Sequence, residues 1–175
     1  SVVYLSERQI VTGTGIGQFS PDVPITVRQW AVMLCRAYGV QMKGNGWMEQ
    51  SQSGLDAAYG NGWLSETAVV SPETQLCRSA VLESAFDAAQ IPVYDNVLYG
   101  GKALSREENV LRVGQELGLC SASSTVGERV TRGEAAVYLY ETLTHPFAVE
   151  APKSPVVCEN RSDTNLNDYL MELRY

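Results

Sequence analysis

Two arginines fall at the start of helical patterns. Arg132 lies between Thr131 and Glu134, and Arg78 follows Cys77; each falls in the first turn of a helical pattern. A planar guanidinium placed there grips a carboxylate through two parallel N–H bonds, and unpaired N–H groups at the helix start reinforce the same field. The plainer alternative is that both arginines form ordinary ion pairs with nearby carboxylates, which contribute little when exposed. Trp63 and Trp47 offer flat faces on which a sugar ring can stack, whereas Trp30 reads as core.

The remaining reactive residue types point away from catalysis. His145 is the sole histidine and sits before Pro146, which suits a helix C-terminal cap or dipole partner better than a base. Gly13, Gly15 and Gly17 lack both the spacing and the following Lys of a phosphate cradle, so they read as turn glycines. No G-x-S-x-G, H-E-x-x-H or Cys–His constellation occurs, and no catalytic residue or cofactor is expected. Cys35, Cys77, Cys120 and Cys158 show no CxxC spacing. A metal site is thus not expected, and free thiols are the preferred reading over two disulfides.

Bulk properties narrow the partners. The 175 residues are 45% apolar, enough to bury a core without disulfides or metals. Thirteen basic against 20 acidic residues leave a net charge of −7, which repels a polyphosphate and argues against nucleic acid as a partner. No apolar run approaches the roughly 18 residues that cross a bilayer, so membrane insertion is not expected. The opening Ser1-Val2-Val3-Tyr4-Leu5 reads as the middle of an amphipathic helix, and the chain is expected to be trimmed at this end.

The elements that must position the arginines repeat. Ser20-Pro21-Asp22-Val23-Pro24-Ile25-Thr26, Ser71-Pro72-Glu73-Thr74-Gln75-Leu76-Cys77 and Thr125-Val126-Gly127-Glu128-Arg129-Val130-Thr131 share one pattern, with seventh positions 51 and 54 residues apart. That seventh position reads as a helix N-cap. Thr26 with Gln29, and Thr131 with Glu134, form capping boxes; Cys77 with Ala80 cannot, which weakens the second start by about 0.5–2 kcal/mol. The aliphatic residue before each cap pairs with the fourth helical residue as a hydrophobic staple: Ile25 with Trp30, Leu76 with Val81, Val130 with Ala135.

Helical spacing follows each cap and a second helical stretch precedes each loop, over Ser1 to Gln9, Leu55 to Trp63 and Ser105 to Leu117. Phe19 is the anchor expected to hold down the first loop. Ile91 to Ala103 contains Gly100-Gly101 and is compatible with a short hairpin. The fold class that follows is mainly α: three helix–loop–helix repeats in a pseudo-threefold helical bundle, over 1–39, 47–90 and 91–144. Residues 145–175 read as a Pro-containing linker and a C-terminal helix started by Asp163, with docking back onto the repeats preferred.

Gln9-Ile10-Val11-Thr12-Gly13, then Phe19-Ser20-Pro21, then Ile25-Thr26 resembles an S-layer homology repeat, and Val130-Thr131-Arg132-Gly133-Glu134-Ala135 is similar to that family's Thr-Arg-x-Glu motif. The resemblance covers about residues 1–144, with the second repeat divergent. It implies grooves between repeats and non-covalent docking on a bacterial cell wall through pyruvylated secondary polysaccharide. The family's Arg matches Arg132 and Arg78, but Val27 occupies that place in the first repeat and Arg28 lies one residue later. The resemblance thus implies that at most two grooves keep the carboxylate grip, with Arg132, beside its motif neighbours Thr131 and Glu134, ranked first and Arg78 second. A cell-surface location follows from the resemblance; four cysteines leave a cytoplasmic location open. A protein-interaction module on the same scaffold, or the non-catalytic part of a larger enzyme, are the alternatives.

Overall fold

In the computed structural model, which describes residues 1–13, 19–95 and 97–145, the chain is mainly helical. The helices are α1 (Val2–Glu7), α2 (Val27–Ala37), α3 (Trp47–Gly60), α4 (Glu66–Val69), α5 (Arg78–Ala89), α6 (Arg106–Glu116) and α7 (Arg132–Thr144). A hairpin of β1 (Leu98–Tyr99) and β2 (Lys102–Ala103) turns at Gly100-Gly101, as the sequence suggested. Both glycines have positive φ, the backbone state such a two-residue turn requires.

Local capping sets the starts. Thr26 accepts from the Gln29 N–H while Gln29 reaches back to the Thr26 N–H, and the same reciprocal pair forms at Thr131 with Glu134 and at Ser105 with Glu108. Cys77 has cap backbone geometry but makes no side-chain cap bond. Three staple pairs are buried, and Trp30, Val81 and Ala135 are all 0% exposed.

Two expectations need correction. The helix foreseen at Leu55–Trp63 runs from Trp47 to Gly60, so Trp47 opens the helix and Trp63 lies beyond it. The second loop also contains α4, started by Ser65 accepting from the Ala68 N–H, a one-turn element too short to leave a periodic signal. The linker and the helix started by Asp163 lie outside the described residues, as do Gly15, Gly17 and Cys158.

The three loops close on one another rather than on their own helices. Ile25 N–H donates to Val130 O at 2.9 Å, Val130 N–H to Leu76 O at 3.2 Å, and Leu76 N–H to Ile25 O at 3.0 Å. Around this ring α2, α5 and α7 each touch the other two. The outer helices are exchanged: α3 packs on α2, α6 on α5 and α1 on α7, so each outer helix lies against the inner helix of a different sequence unit. The core follows from that exchange, with Leu5 of α1, Leu55 of α3 and Val110 of α6 all fully buried beside the inner helices.

Candidate site at the inner-helix starts

The ring decides what the helix starts can do. The first two N–H groups of each inner helix are taken by a neighbouring loop. Val27 and Arg28 donate to Thr74 O and Pro72 O, Arg78 and Ser79 to Glu128 O and Val126 O, and Arg132 and Gly133 to Val23 O and Pro21 O. The first two helix-start N–H groups are thus already satisfied in all three helices, and the third is capped in α2 and α7 but not by Cys77 in α5. At Arg132 any anion grip must come from side chains.

Arg132 is 6% exposed. Its Nε donates to Phe19 O at 3.2 Å and its Nη2 to Thr12 O at 3.3 Å, while the guanidinium carbon lies 5.0 Å from the Phe19 ring centre. On the other side of Thr12, Arg36 Nη1 donates to Thr12 Oγ1 at 3.2 Å. Neither guanidinium forms an ion pair among the described residues, and Thr14 to Gln18, the segment that joins Thr12 to Phe19, contains no acidic residue. Burial without a counter-charge pushes the pKa of both arginines down. Two cations therefore converge on one residue in a chain of net charge −7. Thr131 stands next to this place but spends its hydroxyl on the cap.

Arg78 has a different environment. Its Nε donates to Glu128 Oε2 and its Nη2 to Glu134 Oε1, both at 3.2 Å, and its Nη1 to the Tyr138 hydroxyl. Burial opposes its charge, but Tyr138, Glu134 and Glu128 together outweigh that and raise its pKa. Burial also acts to raise the Glu134 pKa, but the Thr131 N–H and Arg78 overcome it and hold the carboxyl below its usual range. Burial raises the Tyr138 hydroxyl despite Arg78. These groups line an open groove of 680 Å³ between α5 and α7, walled by Ser121, Ser123 and Ser124 and edged by Leu119 and Val137.

In the first unit the first-turn arginine is Arg28, the second residue of α2. It is 8% exposed, pairs with Glu73 and donates through Nη1 to Ser51 Oγ at 3.1 Å. Val27 is fully committed to the core.

The structure thus brings Arg78 and Glu134 together, and sets Arg132 apart from both against Thr12 and Phe19. Trp63 belongs to neither place: its ring packs on Tyr38 at 5.5 Å between centres and borders a separate 240 Å³ cleft with Glu83 and Asp87. Sequence reasoning missed Arg36, Thr12 and Tyr138 as site neighbours. Arg36 and Tyr138 are interior members of helical patterns, and nothing in their spacing distinguishes them from core and surface positions.

Cys35, Cys77 and Cys120 carry no disulfide, and burial raises the Cys35 thiol to about 11. Among the described residues no group of three His, Cys, Asp or Glu side chains forms a metal cluster, and no helix is long and apolar enough to cross a membrane. No protein-family model matches the chain, and a search of curated proteins finds no match.

Proposed function

We propose that this chain is a non-catalytic binding module of the S-layer homology type, holding its protein non-covalently to a pyruvylated bacterial cell-wall polysaccharide at the cell surface. The observation that carries this reading is the convergence of Arg132 and Arg36 on Thr12 with no carboxylate partner among the described residues. A desolvated guanidinium favours an incoming anion, and a ketal carboxylate matches its planar donor fork. Arg132 is therefore the principal grip, while Arg28, already held by Glu73 and Ser51, contributes none.

The scaffold reading is that the three units are repeats around a pseudo-threefold axis. The closed ring of Ile25, Leu76 and Val130 hydrogen bonds, and the cyclic exchange of α1, α3 and α6, support it. A ring of this kind protects its three amides together. Hydrogen exchange at Ile25, Leu76 and Val130 should be slow and similar, and fast exchange at one of them would break the symmetry.

Sedimentation with purified pyruvylated wall polymer, beside polymer stripped of pyruvate, tests the function. Wild-type protein should pellet with the first and much less with the second. A charge-assisted bond contributes about 1.5–3 kcal/mol, so Arg132→Ala should weaken binding roughly tenfold to a hundredfold. Protein that stays in the supernatant with both polymers removes the anchoring reading. A protein-interaction module then takes its place, a reading favoured by the free thiols of Cys35, Cys77 and Cys120 and by the loss of the first grip to Val27.

A further inference from the structure

We infer that the groove between α5 and α7 is closed to anions and takes an uncharged, hydroxyl-rich segment of the ligand, leaving the anionic group to Arg132. The inference rests on the reading of the chain as a glycan-binding module.

The charge balance inside the groove carries it. Arg78 is the cation at its floor, and two carboxylates already occupy the guanidinium: Glu128 on Nε and Glu134 on Nη2, each at 3.2 Å. The Tyr138 hydroxyl takes Nη1. Arg78 with Glu128 and Glu134 therefore leaves one negative charge in excess. The guanidinium keeps one further N–H on each Nη, but a carboxylate arriving there would sit beside both Glu128 and Glu134, a repulsive arrangement. Nor can the carboxylates simply swing aside. Glu134 Oε2 also holds the Thr131 N–H at 2.9 Å, and Glu128 Oε2 holds the Thr125 N–H at 3.1 Å. Each is anchored to the backbone that shapes the groove.

What remains suits a sugar. Glu128 bonds through Oε2 alone, and its Oε1 has no hydrogen bond among the described residues, which leaves it open to an O–H donor. Ser121, Ser123 and Ser124 form a cluster of hydroxyls, with Oγ separations of 2.9 and 3.2 Å from Ser121, that can both donate and accept. Leu119 and Val137 supply apolar edge for the C–H faces of a ring. The 680 Å³ volume lies within the roughly 300–1,000 Å³ of small-ligand sites. Arg78 then acts as a positioning residue, fixing the two carboxylates and Tyr138, rather than as the second anion grip that its place in the sequence suggested.

Amide chemical-shift mapping separates the two places. The probes are sodium pyruvate and the oligosaccharide released from wall polymer and freed of its ketal. The neutral oligosaccharide should shift Ser121, Ser123, Ser124 and Tyr138, and pyruvate should shift Thr12, Phe19 and Arg132 only. In the double variant Glu128→Gln, Glu134→Gln, pyruvate should begin to shift the Ser121–Tyr138 set, with at least tenfold tighter apparent binding there. Gln at 134 can keep the capping box, as Gln29 does in α2. Glu128→Gln alone repeats the test if the double variant does not fold. Pyruvate shifting the Ser121–Tyr138 set in wild type, or the neutral oligosaccharide leaving it unmoved, overturns the inference. Silence of Thr12 and Arg132 toward pyruvate, with the neutral probe still active, instead counts against the anion grip proposed above.

Discussion

The indole N–H of Trp30 donates to Ser84 Oγ at 2.6 Å, and the two residues are 0% and 2% exposed. This bond joins α2 to α5 inside the core, where the largest buried side chain of the protein meets a hydroxyl that itself bonds back to the Ala80 and Val81 carbonyls. Trp30→Ala should cost about 3–5 kcal/mol through the cavity it leaves. Trp30→Phe keeps most of the volume and should cost less than half of that. Urea denaturation at neutral pH reads both, and a loss under 1 kcal/mol for Trp30→Ala would place this residue outside the core.

The second inner helix starts without a side-chain cap. Cys77 has the extended backbone of an N-cap, φ −85° and ψ 165°, yet makes no cap bond, unlike Thr26 and Thr131. Cys77→Ser should therefore stabilise the fold by about 0.5–2 kcal/mol, and Thr131→Ala should destabilise it by a similar amount. Thermal unfolding of the two variants should move in opposite directions.

Glu134 links stability to pH. Its pKa is lowered in the folded state from an ordinary 4.5, because the Thr131 N–H and Arg78 outweigh the effect of burial. Its contribution is fully present above that ordinary value and is lost as pH falls through the depressed folded value. Glu134→Gln should lose less stability than wild type between neutral pH and pH 3, at unchanged ionic strength. Equal losses would show that the Arg78 contact adds nothing to folding.

Arg28 should matter for folding and not for the ligand. Its bonds to Glu73 and Ser51 tie α2 to the second loop and to α3. Arg28→Ala should cost about 1–2 kcal/mol, discounted because Glu73 is largely exposed. Binding to pyruvylated polymer should stay within twofold of wild type once the variant is confirmed folded.

Thiol reactivity should follow burial. Cys35 is 0% exposed, its Sγ faces Gly54 O at 3.4 Å, and its pKa is about 11. In the native protein at pH 8 it should resist alkylation while Cys77 is modified. After denaturation without reductant, intact mass should show four alkylated cysteines; fewer would reveal a disulfide.

The sequence by itself determined whatever closes within one helical turn. Thr26 with Gln29, Ser105 with Glu108 and Thr131 with Glu134 are capping boxes because both halves lie three residues apart and need no other part of the chain. The burial of Trp30, Val81 and Ala135 was legible for the same reason, from periodicity and staple spacing. Only the tertiary structure decided the partners of the arginines. Arg78 reaches Glu128, Glu134 and Tyr138 at separations of 50, 56 and 60 residues, and Arg132 reaches Thr12 at 120. Arg78 and Arg132 occupy the same first-turn position in their helices, yet one meets two carboxylates and the other meets the backbone carbonyls of Thr12 and Phe19. The first two N–H groups of each helix are consumed by loops of other units. A local motif specifies where a side chain leaves the backbone; the charges it meets there are set by which distant loop the fold brings across it.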